Sequence, residues 1–370
     1  MANVLGLVSF RVFPSEMGGQ KGVTLFYQHL AAHHRIVLAC SENNEVPGQQ
    51  WLKVIPTLFH NRKIYLNVFR LKQLSEIVKQ EKINCIIAEH SFTGWMAWRL
   101  ARRNHLPFII HSHNIEALRF RQMKRRWWKV YLAHEKWIHR RADFSFFISE
   151  EDRQFAITRF GLDPEKTTVI TYGVDEVEQI ENAGMKLRQQ LGSGEEKLLY
   201  FNGTLDYVPN REAVENIIMR VLPVLDERKF AYKLLITGRR LPAGMEKLFQ
   251  SHTSVSYKGF VADASLYYLA ADVFMNPVIN DAGVKTKLVE AVAHGCPVVS
   301  MASGAKGFRK ELAGELFREV PDHEWKTFAQ AVMEMCHSEK KPTPADFWAY
   351  YSWKSIAANA AEKINQLTNA

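Results

Sequence analysis

Short runs of apolar residues recur along the chain, separated by longer stretches whose apolar positions return with helical spacing. In the first half the runs are Val4–Phe10, Arg35–Cys40, Trp51–Pro56, Asn84–His90, Pro107–His113, Phe144–Ser149 and Thr167–Gly173. They are continuous rather than alternating, the pattern of strands covered on both faces in a parallel sheet. Amphipathic stretches such as Leu66–Lys82 and Phe92–His105 lie between them. This βα alternation predicts an open, doubly wound α/β sheet. The second half repeats it, with strands at Lys197–Asn202, Tyr232–Thr237, Val255–Phe260, Asp272–Val278, Pro297–Met301 and Glu315–Val320. Helices fit at Asn210–Asp226, Ala264–Ala271, Lys285–His294 and His323–His337. The halves share no sequence self-similarity, so the chain is not a repeat array.

A chain of 370 residues exceeds the roughly 250–300 residues over which one core keeps growing, so two Rossmann-like domains are expected, 1–175 and 176–345. The charged stretch Asp175–Glu196, with Gly184, Gly192 and Gly194, reads as their connection. A final helix at about 346–370 follows Pro342 and Pro344 and is placed to cross back onto the first domain. One helix start is well marked: Ser149 as cap, Glu150 and Glu151 at the positive end of the dipole, and Asp152 at the capping-box position.

Composition adds constraints. Hydrophobic residues are 47% and charged residues 24%, ordinary for a packed globular protein. Cys40, Cys85, Cys296 and Cys336 are scattered without a CxxC pair, which argues for a reducing, cytoplasmic setting and against structural zinc. Val4–Phe10 is too short for a signal peptide and runs into Arg11. No run reaches the ~18 apolar residues of a membrane span. The net charge of +9 is unevenly spread. Between Arg119 and Arg141 lie Arg121, Lys124, Arg125, Arg126, Lys129, Lys136 and Arg140, interleaved with Phe120, Trp127, Trp128, Tyr131 and Trp137, against Glu135 alone. Such a stretch suits phosphate-bearing partners, above all an anionic membrane surface presenting a lipid-linked acceptor. It equally suits a plain helix with snorkelling cations.

The segment Ala271–Ser300 carries the chemistry. It reads as strand, loop, helix, glycine stop and strand, with Gly295 past the helix end and Pro297 unable to continue it. The loop Asn280–Gly283 follows a strand's carboxyl end and opens a helix, where free backbone N–H groups favour anions. Lys285 and Lys287 add charge there. Thr286 and Glu290 share one helix face, so a carboxylate stands one turn below the anion site, in reach of a ribose diol. In the first half His111 and His113 share a strand face, as a metal pair or as two hydrogen-bonded structural histidines; no third ligand declares itself in the sequence.

This pattern resembles the donor-site segment of the retaining nucleotide-sugar glycosyltransferases of the GT-B fold, the "glycosyl transferases group 1" family. Other pieces agree in order: Gly18–Gly19, His113–Asn114 with Glu116, Ala142–Asp143 through Ser149–Glu150, Tyr172–Gly173–Val174–Asp175, Asn202–Gly203–Thr204–Leu205–Asp206, Pro209–Asn210, and Gly259–Phe260 with Asp263. The resemblance implies two facing domains about a central cleft, with acceptor side first and donor side second. It implies that Glu290 binds the ribose and Lys287, with Lys285, Gly283 and Val284, the departing diphosphate. Gly18 and Gly19 correspond to a glycine loop that approaches the donor phosphates, Phe260 to the nucleobase site, and His113 to a catalytic histidine near the transferred sugar. Two departures from the family pattern stand out. Ala282 stands where an earlier glutamate is usual. Thr204, Val208 and Pro209 occupy the neighbourhood of an expected arginine and lysine, leaving Arg211 as the nearest cation.

The implied activity is transfer of a sugar from a nucleotide-sugar donor to a saccharide or lipid-linked hydroxyl acceptor. No DxD pair occurs, so fixed cations and backbone dipoles, rather than a metal or other cofactor, are expected to stabilise the leaving group. A nucleotide-sugar epimerase of similar fold would use the same donor pocket. A nucleic-acid-binding module would explain only the basic stretch, and no nucleic-acid partner is expected.

Overall fold

The computed structural model of the chain describes every residue except 16–17, 46–47, 49–50, 61–66, 68, 177–182, 192–193, 262, 280–285, 340 and 370. Its contacts divide it into two compact units. One comprises Met1–Gly173 with Tyr351–Ala370, the other Val174–Tyr350.

The first unit is built on β1 (Asn3–Val8), β2 (Arg35–Ser41), β3 (Leu52–Leu58), β4 (Cys85–Glu89), β5 (Phe108–Ser112), β6 (Phe144–Phe147) and β7 (Thr167–Val169), in the order β3-β2-β1-β4-β5-β6-β7. Every pairing is parallel. Every residue of β4, β5 and β6 is buried, as both-face coverage requires. Leu5, Val37, Ile86 and Ile110 pack with Leu74 and Leu100 of the helices Leu71–Gln80 and Gly94–Asn104 in one apolar cluster. Ser149 caps the helix Glu150–Phe155 by accepting from the Asp152 N–H at 3.2 Å, as its sequence predicts.

The second unit carries β8 (Lys197–Asn202), β9 (Tyr232–Thr237), β10 (Val255–Tyr257), β11 (Val273–Asn276), β12 (Val298–Met301) and β13 (Phe317–Val320), ordered β10-β9-β8-β11-β12-β13 and again parallel. Strand order reverses between β1 and β4 in one unit and between β8 and β11 in the other. In doubly wound sheets such switch points open the crevice where ligands bind.

Three elements differ from expectation. Gly18 and Gly19, expected in a loop, begin a helix, Gly18–Leu30. The charged connection contains a helix, Ala183–Gln190. The long helix at 208–227 is interrupted by a π turn at Ile217–Val221, where the Leu222 N–H reaches back to the Ile217 carbonyl. Pro223 explains it: proline donates no N–H and its ring crowds the carbonyl four residues back, so the helix widens by one residue just before it.

The last helix, Trp353–Thr368, packs against Gly18–Leu30. The Ser352 hydroxyl caps it, accepting from the Ser355 N–H at 3.2 Å, and the Trp353 ring meets Tyr172 edge-on at 5.5 Å. The junction between units falls after Gly173, two residues before the boundary read from sequence, and a Cβ added to Gly173 would stand 2.7 Å from Trp353 and Ile356 atoms.

At the carboxyl ends of β8 and β9 two backbones touch. Gly238, at φ +154°, lies so near the Gly203 carbonyl that an added Cβ would stand 1.8 Å from its oxygen. Backbone cannot yield as a flexible side chain does. Gly238→Ala is therefore expected to lower the melting temperature by about 2–10 °C, an overpacking cost of roughly 1–3 kcal/mol. Differential scanning calorimetry measures it, and an unshifted transition would show the two loops free to part.

Candidate active site

In the second unit, polar side chains gather where β8, β9 and β11 end. Asn210, in the first turn of the helix Val208–Asn216, donates through Nδ2 to the Thr204 carbonyl at 3.0 Å and accepts through Oδ1 from the Lys287 ammonium at 2.9 Å. Lys287 lies in the first turn of the helix Thr286–Ala293, its Nζ 4.7 Å from the centre of the Phe201 ring. An amide oxygen and an aromatic face thus position this cation. Glu290 follows one turn on and accepts from the Tyr268 hydroxyl at 3.3 Å. Burial, then the Glu290 charge, push the Tyr268 phenol up, so it remains a donor. Gly283, Val284 and Lys285, with Asp281 and Ala282, lie outside the described residues.

Phe260 is 56% exposed. The Arg239 guanidinium lies 3.7 Å above its ring centre. The loop that carries Arg239 is tied on both sides: the Leu205 N–H donates to the Arg239 carbonyl at 2.9 Å, and the Gly238 N–H to the Gly259 carbonyl at 2.8 Å. Arg240 instead pairs with Asp206 at 3.0 Å.

In the first unit Gly18 and Gly19 are exposed at a helix N-terminus, which offers backbone N–H groups without a loop. A Cβ at Gly19 would meet nothing within 4 Å. At the carboxyl ends of β4 and β5 the structure brings His113 to Glu89. The carboxylate of Glu89 is fully buried and accepts from the Tyr27 hydroxyl at 2.7 Å and from His113 Nε2 at 2.6 Å. His111 Nδ1 lies 3.1 and 3.3 Å from its two oxygens. Burial alone would push the Glu89 carboxyl up, but the two imidazoles prevail and hold it well below the usual carboxylate range. Burial and the neighbouring His111 in turn hold His113 below the ordinary histidine value, against the pull of Glu89. One ligand atom from each of Glu89, His111 and His113 lies within 4.8 Å of the others, so the third member that the sequence did not declare is Glu89.

His90 flanks this group. Its ring stacks on His113 at 4.4 Å between centroids, and its backbone holds φ at +64°, a conformation non-glycine residues rarely keep without surrounding constraint. His90 Nδ1 and Glu116 Oε1, both buried, face each other at 3.5 Å.

Glu89, Asn210 and Arg239 are the residues that sequence reasoning missed. Glu89 ends an apolar run, where a buried acid is itself a signal because lone carboxylates seldom go inside. Asn210 stood in a recognised pair without a role. Arg239 follows a strand and a glycine, and nothing nearby in sequence marks its partner.

Two family models match the chain: Glycosyltransferase Family 4 over residues 18–178 and Glycosyl transferases group 1 over residues 196–338. No curated protein matches it in sequence. Among solved structures it is similar to a sucrose-phosphate synthase from Thermosynechococcus elongatus, at 18% identity and a TM-score of 0.77, with 99% of each chain covered. It is also similar to the Anabaena HepE protein in complex with UDP, at 16% identity and a TM-score of 0.72 over 99% of this chain and 100% of that one. A third is a UDP-forming trehalose-phosphate synthase from Burkholderia xenovorans, at 13% identity and a TM-score of 0.72 over all of both chains. With two parallel-sheet units, a cation and a carboxylate one turn apart on the predicted helix, and these matches over both halves, the chain belongs to the group 1 glycosyltransferases and is a glycosyltransferase of the GT-B fold.

Proposed function

We propose that this enzyme moves a sugar from a nucleoside-diphosphate sugar to a hydroxyl acceptor with retention at the anomeric carbon, in the synthesis of a cell-surface glycan or glycolipid. The observation that carries the reading is the Lys287–Glu290 pair. A cation positioned by Asn210 and Phe201 at a helix start suits a departing diphosphate, and the carboxylate one turn below suits a ribose diol. HepE has been solved with UDP, with UDP and glucose, and with UDP-glucose, which favours a uridine donor here. Phe260 and Arg239 offer the base a stacked platform.

In this reading Lys287 meets the charge that develops on the leaving group, and the family resemblance assigns Lys285, Gly283, Val284, Gly18 and Gly19 to the same phosphates. That is the basis for proposing a reaction without a metal. His113 is assigned to the transferred sugar. The acceptor hydroxyl attacks from the leaving-group side as the diphosphate departs, and its proton passes to a phosphate oxygen.

The acceptor reading rests on the helices Glu116–Gln122 and Trp128–His139 and the turn between them. There Met123, Trp127 and Val130 are exposed among the exposed Arg121, Lys124, Arg125, Arg126 and Lys129. Cations ringing exposed apolar groups suit an anionic membrane surface carrying a lipid-linked acceptor. Four buried cysteines without a disulfide fit a reducing, cytoplasmic compartment.

Lys287→Ala is expected to lower kcat by at least about tenfold, since removing one preorganised donor costs roughly 2.7–4 kcal/mol of transition-state stabilisation; transfer at the wild-type rate would remove its assignment. Glu290→Ala should weaken UDP binding in calorimetric titration, and an unchanged affinity would take the ribose away from it. UDP should raise the melting temperature above GDP, ADP or TDP, and its release from the donor sugar should require acceptor. Release without acceptor, or sugar inversion in place, would point to an epimerase. Sedimentation with anionic but not neutral vesicles at low salt is the outcome expected of the basic face.

A further inference from the structure

Glu89 is a buried carboxylate whose partners among the described residues are Tyr27, His111 and His113. A carboxylate only accepts hydrogen bonds, so every group facing it must donate. Tyr27 does so through its hydroxyl at 2.7 Å. His111 turns Nδ1 to Glu89 and Nε2 to the Ile170 carbonyl at 3.3 Å, so both of its nitrogens stand in donor positions. His113 must place its proton on Nε2 to make the 2.6 Å bond.

The consequence falls on the other nitrogen. In its neutral form the His113 ring has one N–H to give. That N–H is spent on Glu89. Nδ1 then carries a lone pair, and no hydrogen bond to it occurs among the described residues. The ring plane is fixed as well, between His90 at 4.4 Å and His111 at 4.5 Å between centroids, and the side chain keeps 11% exposure.

We infer that Glu89 is a positioning residue: by fixing His113 as its Nε2–H tautomer it presents Nδ1 to substrate as an acceptor, and so makes this histidine select a sugar hydroxyl that donates. The inference rests on the reading of His113 as a residue of the sugar site. It assigns the recognised group, a hydroxyl rather than a carbonyl or phosphate oxygen, because a lone pair repels an acceptor. The alternative use of the same three side chains, as ligands to a divalent ion, would break the Tyr27, His111 and His113 hydrogen bonds that now give each carboxylate oxygen its donors.

The test uses the full-length enzyme with its donor, with 15N-imidazole NMR read alongside steady-state kinetics. In the wild type at neutral pH, His113 is expected to show a protonated Nε2 and a bare Nδ1. Glu89→Gln is expected to mix the two tautomers and to lower kcat by about tenfold, the loss of one hydrogen bond of about 1.4 kcal/mol, with a smaller change in donor KM. Tyr27→Phe, which leaves His113 untouched and removes one donor to Glu89, should produce a weaker change in the same direction and serves if the glutamine variant fails to fold. A wild-type His113 protonated on Nδ1 overturns the proposal by itself. So does a folded Glu89→Gln enzyme with the wild-type tautomer and rate. Activity lost to EDTA and restored by Zn²⁺ would replace the relay with a metal centre. His113→Ala acting at the wild-type rate would instead remove His113 from the sugar site, a failure of the functional reading that the NMR arm leaves separate.

Discussion

In an open parallel sheet the strands are covered on both faces and ligands bind beyond their carboxyl ends, and the candidate site residues of this enzyme gather at those ends. β4 and β5 are wholly buried along their length, so Glu89, His111 and His113 appear where these strands run out. The same holds in the second unit, where Asn202 and Thr237 end β8 and β9 and satisfy each other: Thr237 donates to Asn202 at 3.2 Å and exchanges a 2.7 Å hydrogen bond with Tyr200. A buried polar group left without a partner costs about 1–3 kcal/mol. Groups crowded at a strand end are therefore driven to bond one another, and the rigidity of the site is a by-product of that requirement.

The distribution of positive charge follows the same economy of space. The loop after Asn202–Gly203 lacks the arginine and lysine that the family pattern leads one to expect, and carries Thr204, Val208 and Pro209 in that neighbourhood. The loop beside it carries Arg239 and Arg240 and is joined to it by the Leu205–Arg239 backbone hydrogen bond. Arg240 is partly neutralised by Asp206, while Arg239 lies over an aromatic ring. Charge missing from one segment in sequence is thus found on its neighbour in space.

This explains which parts of the molecule the sequence discloses. The central strands of both sheets were legible because burial on both faces writes itself as an unbroken apolar run, a local signal. The Ser149 cap and the stop at Gly295 were legible for the same reason. The helix at Gly18–Leu30 was not, because its two leading glycines speak for a loop while its fate is settled by packing against Trp353–Thr368, more than three hundred residues away. The helix at Ala183–Gln190 hid in a charged stretch, where its fit against Leu269 and Ala270 is tertiary. In the candidate site, Lys287 and Glu290 stood out in the sequence because both fall in one helix pattern, Glu290 sharing a face with Thr286. Glu89 and Asn210 did not, since each acquires meaning only from a partner on another element.

The return of Trp353–Thr368 to the first unit has a consequence for synthesis. During translation, residues 1–173 emerge first but lack the element that shields Tyr172, His29 and the Gly173 turn, and the whole second unit must pass through the ribosome before it arrives. The early-made half waits on the late-made helix, so the first unit can be completed only after the whole second unit has been synthesised.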